Sequence, residues 1–564
     1  MIKEILFKEN IDSSSQILTT HPINIIVGPN NSGKSLLLKE LQSLYLGIDL
    51  ITDSIQTKII EKIEHQKITI DKVNKLLDTP TIKQNPRQID ISYRDFSSTY
   101  TVYVDRQNII DYVNGIYDND SIQGFIIYFL YKPSTVFLDT ISRLSSMDKQ
   151  AIADQQNPEV LGNESIHKIA KSENLFKILQ MYLFDAFKLY LEIAITGEKF
   201  SFVFSREPFP EEKRLSYRQE SLELYNASFD SEQTSDGRKA YLGILLEILA
   251  NESSTIFIDE PEVFLHPPLA KKLGNLMSKL SSTNQKQIFA STHSSNFVMG
   301  CIESKVPINI IRLTYTNGET KVNILKNETI KNLMLNPLLR STNILDSIFY
   351  KYAIVTEADS DRAFYQEINN RLLDYLPEWG IEECIFLHTK NKQSIPYIVE
   401  SLRSMGIKTA AIVDFDIIKD GGDVFTKYLE SVNIPKPFYS SIRDQKTKIK
   451  NAFPHEEMKI TNSKIKTEGI NYLRKTDKNI ADLACKMIND LAEYGLFIVP
   501  VGELESWLPH IPISGHGDKW LVSKFKAMGH DPNSEYYVKP EKDDVWLFIS
   551  KIKSWLENKN KGFS

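Results

Sequence analysis

The chain has 564 residues, of which 41% are apolar and 25% are charged, and this composition predicts several folded domains rather than a disordered chain. A total of 67 Lys and Arg against 73 Asp and Glu gives a net charge of −6, which argues against a histone-like basic coat but allows local nucleic-acid-binding patches. Cys301, Cys384 and Cys485 lie far apart, which excludes a disulfide framework and is typical of a reducing compartment. No apolar run approaches the ~20 residues that cross a bilayer, and the first residues lack the apolar core of a signal peptide. We therefore expect a cytoplasmic, multidomain protein with no membrane partner.

The first motif with a clear chemistry lies near the N-terminus and follows a predicted strand. The apolar residues 23–27 lead into the segment 28–35, GPNNSGKS, and the apolar residues behind it predict a helix. A strand, a GxxxxGK[ST] loop and a helix form a phosphate-binding loop, in which backbone N–H groups and the helix N-terminus hold phosphate oxygens. Lys34 is expected to reach the β and γ phosphates and Ser35 to ligate Mg²⁺; the alternative is a glycine turn with a surface lysine. The residues predicted to contact ATP here are Gly28, Asn30, Asn31, Gly33, Lys34 and Ser35.

Two acidic residues end a second apolar strand far downstream. The segment 254–262 reads STIFIDEPE, in which Asp259 suits the Mg²⁺ shell and Glu260 suits the polarisation of an attacking water. Acids often end buried strands, so this pair alone is a weak signal. A further apolar strand follows, however, and it ends at His293 in the segment STHS.

Together these motifs resemble an ABC-type ATPase of the SMC-like group, with a Walker A loop, a Walker B segment and a switch histidine. That group carries a signature loop ahead of Walker B, which caps the γ-phosphate bound to a partner subunit. The best match is Ser235-Asp236-Gly237, which opens a predicted helix but departs from the common LSGGQ form. The resemblance implies a homodimer in which Lys34 of one chain meets Ser235 of another across ATP. It adds four residues to the ATP-binding set, namely Ser235, Gly237, Asp259 and His293.

The resemblance places the ATPase in residues 1–145 and 201–345, with a helical insertion at 146–200 that could serve dimerisation. Apolar residues at helical spacing predict long packed helices over 165–196. Just before the insertion, Arg143 could approach a phosphate, although an arginine in such a place is more commonly a surface ion-pair residue.

Past about residue 345, short apolar strands alternate with helices, which predicts a parallel α/β sheet. One strand ends at Glu357, and another ends at Asp414 and Asp416. Because the carboxyl ends of parallel strands share one edge of the sheet, we expect these acids to converge there. Gathered carboxylates repel one another unless a cation is present, and such oxygen ligands suit Mg²⁺ or Mn²⁺. The alternative is that each acid separately is a solvated residue at a strand end.

The segments VTEADSD at 355–361 and IVDFD at 412–416 resemble the Toprim domain of topoisomerases, primases and a set of nucleases. Glu357-Ala358 departs from the usual Glu-Gly of that domain. A Toprim domain, here residues 346–564, behind an SMC-like ATPase is the layout of the OLD family of ATP-dependent endonucleases, and the resemblance spans nearly the whole chain. The overall fold expected is therefore α/β, with an ABC-type P-loop ATPase followed by a Rossmann-like parallel sheet.

The family resemblance also implies particular site residues. OLD nucleases carry a second acid one helical turn after the Glu, a late acid and a C-terminal lysine, and two groups of carboxylates hold two metal ions. The second acid corresponds to Asp361. The late acid corresponds to Glu505, with Glu503 as the alternative, and the lysine to Lys519, with Lys524 and Lys526 nearby. On this basis the catalytic residues are Glu260, Glu357, Asp414, Asp416 and Lys519, and the metal ligands are Ser35, Asp259, Glu357, Asp361, Asp414, Asp416 and Glu505.

A basic segment lies inside the carboxylate half, at residues 436–478. It contains 11 basic and five acidic residues, interleaved with the aromatic residues Phe438, Tyr439, Phe453 and Tyr472. Lys and Arg could neutralise phosphates and aromatic rings could stack on exposed bases, which would make this segment a DNA-facing arm. A solvated insertion without ligands is the alternative.

The expected function is an ATP-regulated, Mg²⁺- or Mn²⁺-dependent DNA endonuclease that dimerises through its ATPase half and could pair into tetramers. The resemblance implies bacterial anti-phage defence, as in retron- or Gabija-type effectors, beside a retron reverse transcriptase with its DNA or a helicase. A rival function is a non-nucleolytic ATP-driven DNA clamp or sensor, which Ala358 favours and the intact DxD opposes. A topoisomerase or primase would need a breakage-tyrosine domain or a priming zinc module, neither of which is visible in the sequence. A transporter ATPase would leave the carboxylate half unexplained.

Overall fold

The computed structural model describes residues 1–8, 16–51, 59–77, 88–94, 99–116, 120–145, 150–151, 165–196, 199–210, 223, 228–230, 234–250, 253–316, 318–325, 330, 344–389, 391–454 and 463–558. The chain divides into two compact units, residues 1–327 and 328–564. Residues 146–149, 152–164 and 197–198 of the predicted helical insertion lie outside the described residues, as do residues 455–462 of the predicted basic segment.

The first unit combines strands and helices throughout its described residues. Its strands are β1 (Ile2–Phe7), β2 (Ile17–Thr19), β3 (Ile23–Val27), β4 (Ile60–His65), β5 (Gln88–Arg94), β6 (Thr99–Asp105), β7 (Thr135–Leu138), β8 (Gln150–Ala151), β9 (Tyr190–Thr196), β10 (Lys199–Ser205), β11 (Phe229–Asp230), β12 (Thr255–Asp259), β13 (Gln287–Ser291), β14 (Ile308–Thr316) and β15 (Glu319–Leu325). Its helices are α1 (Lys34–Leu46), α2 (Ile48–Ile51), α3 (Ile70–Leu77), α4 (Arg106–Val113), α5 (Asp120–Tyr131), α6 (Thr140–Ser145), α7 (Ser165–Lys171), α8 (Glu173–Phe187), α9 (Asp236–Leu249), α10 (Pro267–Thr283) and α11 (Ser295–Glu303).

A six-stranded sheet organises the first unit, in the order β15–β14–β3–β13–β12–β7. Its strands run parallel except β15, which pairs antiparallel with β14. In the centre, Ile25 of β3 pairs with Ile310 on one side and Ala290 on the other. Because the carboxyl ends of parallel strands share one edge, this order brings the residues that follow β3, β12 and β13 together.

The core of the first unit fixes helix α1 behind the sheet. Strand β3 is buried along its whole length, as expected for a central parallel strand covered on both faces. Leu37, Leu38 and Leu41 of α1 share one apolar core with Phe257 of β12 and Phe289 of β13. The N-terminus of α1 is therefore held at the same sheet edge as the ends of β12 and β13.

Smaller antiparallel sheets complete the first unit. Strands β2, β1 and β4 form one sheet, β5 and β6 form a pair, and β10 lies between β11 and β8 and also pairs with β9. Strand β9 shows that the prediction of long helices over 165–196 is wrong at its C-terminal end, because Tyr190–Thr196 pairs antiparallel with β10 over its full length. Ile193, Ile195 and Thr196 are β-branched and favour a strand once a partner strand supplies hydrogen bonds.

The second unit contains a parallel sheet surrounded by helices. Its strands are β16 (Tyr352–Thr356), β17 (Cys384–His388), β18 (Lys408–Val413) and β19 (Leu496–Ile498), paired in the order β17–β16–β18–β19. Its helices are α12 (Asp359–Tyr375), α13 (Ile395–Ser404), α14 (Gly422–Ser431), α15 (Tyr439–Asn451), α16 (Lys464–Thr467), α17 (Ile470–Thr476), α18 (Lys478–Ala492), α19 (Gly517–Met528) and α20 (Asp544–Glu557). Short 3-10 turns follow two of the strands, at Phe415–Lys419 after β18 and Leu504–Ser506 after β19.

The core of the second unit holds helices against this sheet. Phe364 and Ile368 of α12 pack in one apolar cluster with Ile354 of β16 and with Trp546 and Ile549 of α20. All four strands run parallel, so their carboxyl ends point to a single edge. Among the helices that the structure describes, none is long and apolar enough to cross a membrane.

Candidate nucleotide and metal sites

The Walker A loop, residues 28–35, has a backbone that only its glycines permit. Gly28 has φ +147°, and a Cβ there would lie 2.2 Å from the carbonyl oxygen of Leu313. Gly33 has φ +93° and caps the N-terminus of α1, while Asn31 adopts a left-handed φ of +58°. Glycine tolerates such angles without steric cost, so the loop can turn its N–H groups toward a phosphate at the helix N-terminus. The structure thus has the strand, loop and helix that the sequence predicted.

Lys34 lies within this loop and is buried. Its ammonium donates to the carbonyl oxygens of Gly28 at 2.9 Å and Pro29 at 2.7 Å. Burial lowers the pKa of Lys34 to about 8, although the nearby charges of Glu260 and Asp259 oppose that shift. The two hydrogen bonds to carbonyl oxygens offset part of the free-energy cost of burying the ammonium. Phosphate oxygens would bind the ammonium more strongly, because both partners in that hydrogen bond are charged.

A hydroxyl and a carboxylate meet beside the loop. The Ser35 hydroxyl donates to Asp259 Oδ1 at 3.1 Å, and the Ser291 hydroxyl donates to the same oxygen. Asp259 and Ser291 are register partners at the ends of β12 and β13. Ser35 and Asp259 together form the oxygen-donor pair that holds Mg²⁺ on a nucleotide in P-loop proteins, so the residues present fit that ion.

Glu260 and His293, the predicted catalytic acid and switch histidine, lie next to each other. Their side chains approach within 3.5 Å, between Glu260 Oε1 and His293 Nε2. The His293 backbone N–H donates to Glu262 Oε1 at 2.7 Å, which fixes the histidine next to Glu260. Burial and the charge of Lys34 lower the pKa of His293, so the imidazole is neutral at neutral pH and can accept or relay a proton. The Glu260 side chain is 41% exposed, so its carboxylate is accessible to water.

The predicted signature residues lie at the start of a helix, as expected. Ser235 is the N-cap of α9 and is exposed, so its side chain is available to a ligand from outside the chain. Gly237 lies against the loop after Walker B, because a Cβ there would lie 2.6 Å from the carbonyl oxygen of Phe264. Within one chain, therefore, the start of α9 contacts the Walker B side of the site.

Arg143 is a residue whose role the sequence left open, and the surface ion-pair interpretation is wrong. Its side chain is fully buried, and its guanidinium donates to the Glu260 carbonyl oxygen at 2.7 Å and to Thr140 Oγ1 at 3.2 Å. Burial lowers the pKa of Arg143, while the charges of Glu262 and Asp259 oppose the shift. Arg143 therefore binds the backbone of the Walker B segment. The residues around Arg143 in sequence could not indicate this contact, because Glu260 lies 117 positions further along the chain.

In the second unit, four predicted acids gather at the carboxyl edge of the parallel sheet. The Asp414 N–H donates to Glu357 Oε1 at 3.2 Å, and the Ala358 N–H donates to Asp361 Oδ2 at 2.8 Å. Burial first, and then the charges of Asp416 and Asp361, raise the pKa of Glu357 to about 7. Burial and the charges of Glu505 and Glu503 raise the pKa of Asp361 to about 6.

Asp414 shows a pKa shift in the same direction. Burial raises its pKa well above the usual range, and the charges of Glu357, Asp361 and Asp416 add to the shift. Raised pKa values in neighbouring carboxylates indicate that these acids are buried together without enough positive charge to stabilise their ionised forms. We refer to Glu357, Asp361, Asp414, Asp416, Glu503 and Glu505 below as the carboxylate cluster.

Glu503 and Glu505 both belong to this cluster, so the two alternatives for the late acid are not exclusive. Oxygen atoms of Glu503 and Glu505 and a ring nitrogen of His516 lie within 4.8 Å of one another, which is a spacing that a metal ion can bridge. Burial and the charge of Glu505 raise the pKa of Glu503. His516 was not predicted as a metal ligand, although it opens the segment 516–519, HGDK, which ends with Lys519.

Two lysines that the sequence analysis did not single out contact the carboxylate cluster. Lys392 Nζ lies 2.9 Å from Asp420 Oδ1 and 3.4 Å from Asp416 Oδ1. Lys466 Nζ lies 3.6 Å from Asp416 Oδ2 and 3.5 Å from Glu503 Oε2. Only the position of Lys392 after β17, in the polar turn before a predicted helix, could have marked it, because parallel strands share their carboxyl edge.

The candidate lysines from the C-terminal segment lie elsewhere. Lys519 is exposed on α19, and in the described part of the chain its side chain forms no ion pair. Lys524 is buried and donates to the carbonyl oxygens of Trp507, Leu508 and Ile511 at 2.8–3.0 Å. Lys524 therefore holds together the segment that follows Glu505, which is a structural role.

The donor set of the carboxylate cluster fits a hard divalent cation. Carboxylate oxygens predominate, one imidazole is within reach, and burial followed by mutual repulsion raises several of the pKa values. A bound Mg²⁺ or Mn²⁺ would remove that repulsion and lower those pKa values. Glu357, Asp414 and Asp416 would hold one ion, and Asp361, Glu505 and Glu503 a second.

The basic segment differs from its prediction in its aromatic residues. Phe453 is buried and stacks on Tyr472 with 5.2 Å between ring centroids, so it belongs to the core and cannot stack on a base. Phe438 is 53% exposed, and Arg443 and Lys448 are exposed on α15. The basic side chains remain available for phosphate contacts, and Phe438 is the aromatic residue next to them that is available for stacking.

Known proteins resemble parts of this chain. Residues 140–299 match the protein family described as "AAA domain, putative AbiEii toxin, Type IV TA system". The chain is 24% identical over 277 residues to the Old nuclease of Escherichia phage P2. That match covers 45% of this chain and 43% of the Old nuclease, so the chain spans less than half the length of this curated relative.

The solved structures similar to this chain include two SMC heads and an ATP-binding cassette from an ABC transporter. An SMC head bound to the C-winged helix domain of ScpA is 12% identical with a TM-score of 0.36, covering 59% of this chain and 99% of that one. The SMC head domain from Thermotoga maritima is 13% identical with a TM-score of 0.28, covering 58% and 99%. A nucleotide-free ATP-binding cassette from an ABC transporter is 14% identical with a TM-score of 0.24, covering 60% and 98%.

The sequence-based predictions of an α/β fold and of an OLD-type resemblance are confirmed at this level. The first unit has the strand, loop, helix and parallel sheet of a P-loop ATPase, with Walker A, Walker B and switch residues at one edge. The second unit is a parallel α/β sheet with acids at its carboxyl edge. The curated relative is itself a nuclease of the type that the motifs resemble, and it is similar to this chain over 277 residues.

Proposed function

We propose that this protein is an ATP-hydrolysing, divalent-metal-dependent DNA endonuclease of the OLD type, with a Toprim nuclease domain in residues 346–564. The observation that carries the proposal is the carboxylate cluster. Glu357, Asp361 and Asp414 lie at one sheet edge with pKa values raised by burial and by one another's charge. A cluster of this kind costs folding free energy unless a cation is bound, and it coexists in one chain with a complete phosphate-binding loop.

In the ATPase, each residue has a defined task. Lys34 exchanges its two loop carbonyls for phosphate oxygens, and Ser35 and Asp259 hold the Mg²⁺ that accompanies ATP. Glu260 polarises the attacking water, and His293 beside it holds a proton or a hydrogen bond near the γ-phosphate. Ser235 and Gly237 of a second copy of the chain would complete the pocket, so ATP hydrolysis would require a homodimer.

In the nuclease, the chain's own residues bind and orient the phosphodiester. When bound, divalent ions supply Lewis-acid stabilisation of the charge that develops on the phosphate oxygens. Glu357, Asp414 and Asp416 would hold one of these ions, and the charge of the ion would keep their carboxylates ionised at neutral pH. Lys392 and Lys466 lie on the two sides of Asp416 and can contact phosphate oxygens.

The surface around α15 is proposed as the DNA-facing arm. Arg443 and Lys448 are exposed on one side of that helix, while Ile442 and Ile449 are buried on the other. Neutralised DNA phosphates release counterions, so binding through these residues would weaken as salt rises. Tetramer formation, a role in anti-phage defence and a retron reverse transcriptase or helicase partner are further proposals, and they rest on the family resemblance.

Cleavage of DNA by purified protein tests the proposal. Supercoiled plasmid and single-stranded DNA are incubated with Mg²⁺ or Mn²⁺, with and without ATP, using wild type, Asp414→Asn and the control Asp423→Asn. Asp423 is an exposed acid on α14, outside the carboxylate cluster. Cleavage by wild type and by the control, but not by Asp414→Asn, is expected, and the ATP lanes give the direction of regulation.

Two results would contradict the proposal. Equal cleavage by wild type and Asp414→Asn would identify a contaminating nuclease. Metal-dependent DNA binding by wild type without any strand breakage, in every lane and at every ion concentration, would favour the clamp or sensor.

A further inference from the structure

Arg143 contacts the backbone of the catalytic acid rather than its carboxylate. Its Nη1 donates to the carbonyl oxygen of Glu260 at 2.7 Å, and its Nη2 donates to Thr140 Oγ1 at 3.2 Å in its own helix. Its Nε is buried and has no hydrogen-bond partner in the described part of the chain. Burying a guanidinium costs free energy, and an apolar side chain could fill the same space without that cost. The contact to Glu260 therefore calls for a functional explanation.

The backbone of Glu260 is in a conformation that needs such a contact. Its φ is +51°, in the left-handed region that non-glycine residues avoid. Such a conformation is sterically unfavourable and persists only where neighbours hold it. The Glu260 N–H donates to the Ser291 carbonyl at 2.9 Å, and its carbonyl accepts from both Arg143 and the N–H of Val263 at 3.1 Å.

Helix α6, which carries Arg143, is also in direct contact with helix α9. A Cβ at Gly243 of α9 would lie 2.1 Å from the Arg143 carbonyl oxygen, so the two backbones touch. At the N-terminus of α9, Gly237 lies against the carbonyl of Phe264 in the loop after Walker B. The helix that begins with the signature residues therefore contacts both α6, which carries Arg143, and residues 260–264, which carry Glu260.

The charges around the guanidinium favour this location. The acids that act on it are, in order, Glu262, Asp259, Asp139 and Glu260. One Oε of Glu262 is itself buried without a partner in the described part of the chain. Arg143 is thus the positive charge among the Walker B acids that approaches them from the α6 side, whereas Lys34 approaches from the phosphate-binding loop.

We propose that Arg143 is a positioning residue for ATP hydrolysis, which holds Glu260 in its left-handed conformation and links it to helix α9. A ligand that moves the start of α9 would then change the orientation of Glu260 through α6. The inference rests on the proposed ATPase function and deepens it, because it names the element through which the signature helix acts on the catalytic acid.

The test separates positioning from folding and from nucleotide binding. Arg143→Gln, Arg143→Lys and Gly243→Ala are compared with wild type, with the reference Glu260→Gln and with the control Ile141→Ala, which alters a side chain of the same helix that is 77% exposed. For each, the Kd for ATP, the kcat of ATP hydrolysis and the melting temperature are measured. Hydrogen–deuterium exchange of peptides that cover residues 259–266 is measured on the nucleotide-free protein.

The expected result is a Kd for ATP within about twofold of wild type and a kcat about 10–100 times lower in Arg143→Gln, because a misplacement of about 1 Å can cost that much. Arg143→Lys keeps a donor and should fall between wild type and Arg143→Gln. Gly243→Ala should lower kcat in the same way without changing the guanidinium. Amide exchange over 259–266 should accelerate in Arg143→Gln and stay unchanged in Ile141→Ala.

Other outcomes overturn the inference or the function beneath it. If wild type hydrolyses ATP and Glu260→Gln does not, but Arg143→Gln matches wild type in both kcat and amide exchange, Arg143 has no positioning role. If kcat falls only in proportion to the folded fraction, the role of Arg143 is structural. If wild type and Glu260→Gln are equally inactive, the proposed ATPase fails, while accelerated exchange in Arg143→Gln would still establish that Arg143 holds the loop.

Discussion

Lys466 lies 3.6 Å from Asp416, and its ammonium is shared with Glu503, 3.5 Å away. One lysine therefore bridges an acid from the end of β18 and an acid from the segment after β19. Both acids are expected metal ligands, so the ammonium lies where positive charge is most needed in the metal-free protein. Two roles are consistent with this position: partial neutralisation of the acids, and contact with a phosphate once metal ions bind.

Lys466→Met separates these two roles. Loss of a phosphate contact should lower the kcat of DNA cleavage by about 10–100 times, as the removal of a charge-stabilising donor does in other active sites. Mn²⁺ binding, measured by titration calorimetry, should become no weaker, because a competing positive charge is gone. Lys464→Met is the matched control, since Lys464 pairs with Glu468 on the same short stretch. Unchanged cleavage together with weaker Mn²⁺ binding would contradict the phosphate-contact role.

The pKa values of the carboxylate cluster predict how the stability of the metal-free protein depends on pH. Glu357 and Asp361 have folded-state pKa values of about 7 and about 6, above their ordinary values of 4.5 and 3.8. The folded state then binds more protons than the unfolded state between about pH 4 and 7, so these groups make unfolding easier as the pH rises through that window.

Thermal melts in EDTA check this prediction. The melting temperature should fall between pH 5 and pH 8, and the fall should be smaller in Asp414→Asn, because one like charge is removed. Added Mn²⁺ should raise the melting temperature more at pH 8 than at pH 5, since protons compete with metal at the lower pH. Stabilisation by Mn²⁺ that is equal in wild type and Asp414→Asn would argue against metal binding at the cluster.

Glu260→Gln should stop ATP hydrolysis while ATP still binds. A glutamine cannot accept a proton from water, and loss of a general base costs about 10²–10⁴ in rate. If the signature residues of a second copy cap the nucleotide, this variant should accumulate as an ATP-bound dimer, which light scattering after size-exclusion chromatography would detect. The exposed Glu61→Gln is the control. A monomer at saturating ATP would contradict the composite pocket.

Lys524→Met tests whether that lysine is structural. The change leaves three backbone carbonyls, those of Trp507, Leu508 and Ile511, without their charged donor. We expect the free energy of unfolding to fall by about 2–3 kcal/mol, measured by urea denaturation. Lys526→Met, at the exposed end of the same helix, should change it little. A loss of cleavage without any loss of stability would instead place Lys524 in the nuclease chemistry.

Local sequence was sufficient for the parts of the site that depend on backbone geometry and on strand ends. The Walker A loop could be predicted because Gly28 and Gly33 are needed for its positive φ angles, and these needs are visible within eight residues. The acids Asp259, Glu357 and Asp414 could be predicted because each directly follows an apolar strand, and parallel strands place their carboxyl ends at one edge. The period of apolar residues also gave the alternation of strands and helices in the second unit.

Only the tertiary structure decided which charged and aromatic side chains are buried, and against what. Arg143 reads as a surface residue in its own segment, but helix α9 and the Walker B loop cover it, and Glu260 accepts its hydrogen bond. Phe453 reads as a base-stacking residue but packs on Tyr472. Lys392 and Lys466 are ordinary lysines in sequence, yet they meet Asp416 in space. Burial and ion pairing depend on segments that are distant in sequence, whereas φ angles and hydrophobic periodicity depend on immediate neighbours, and that difference sets what the sequence alone could determine.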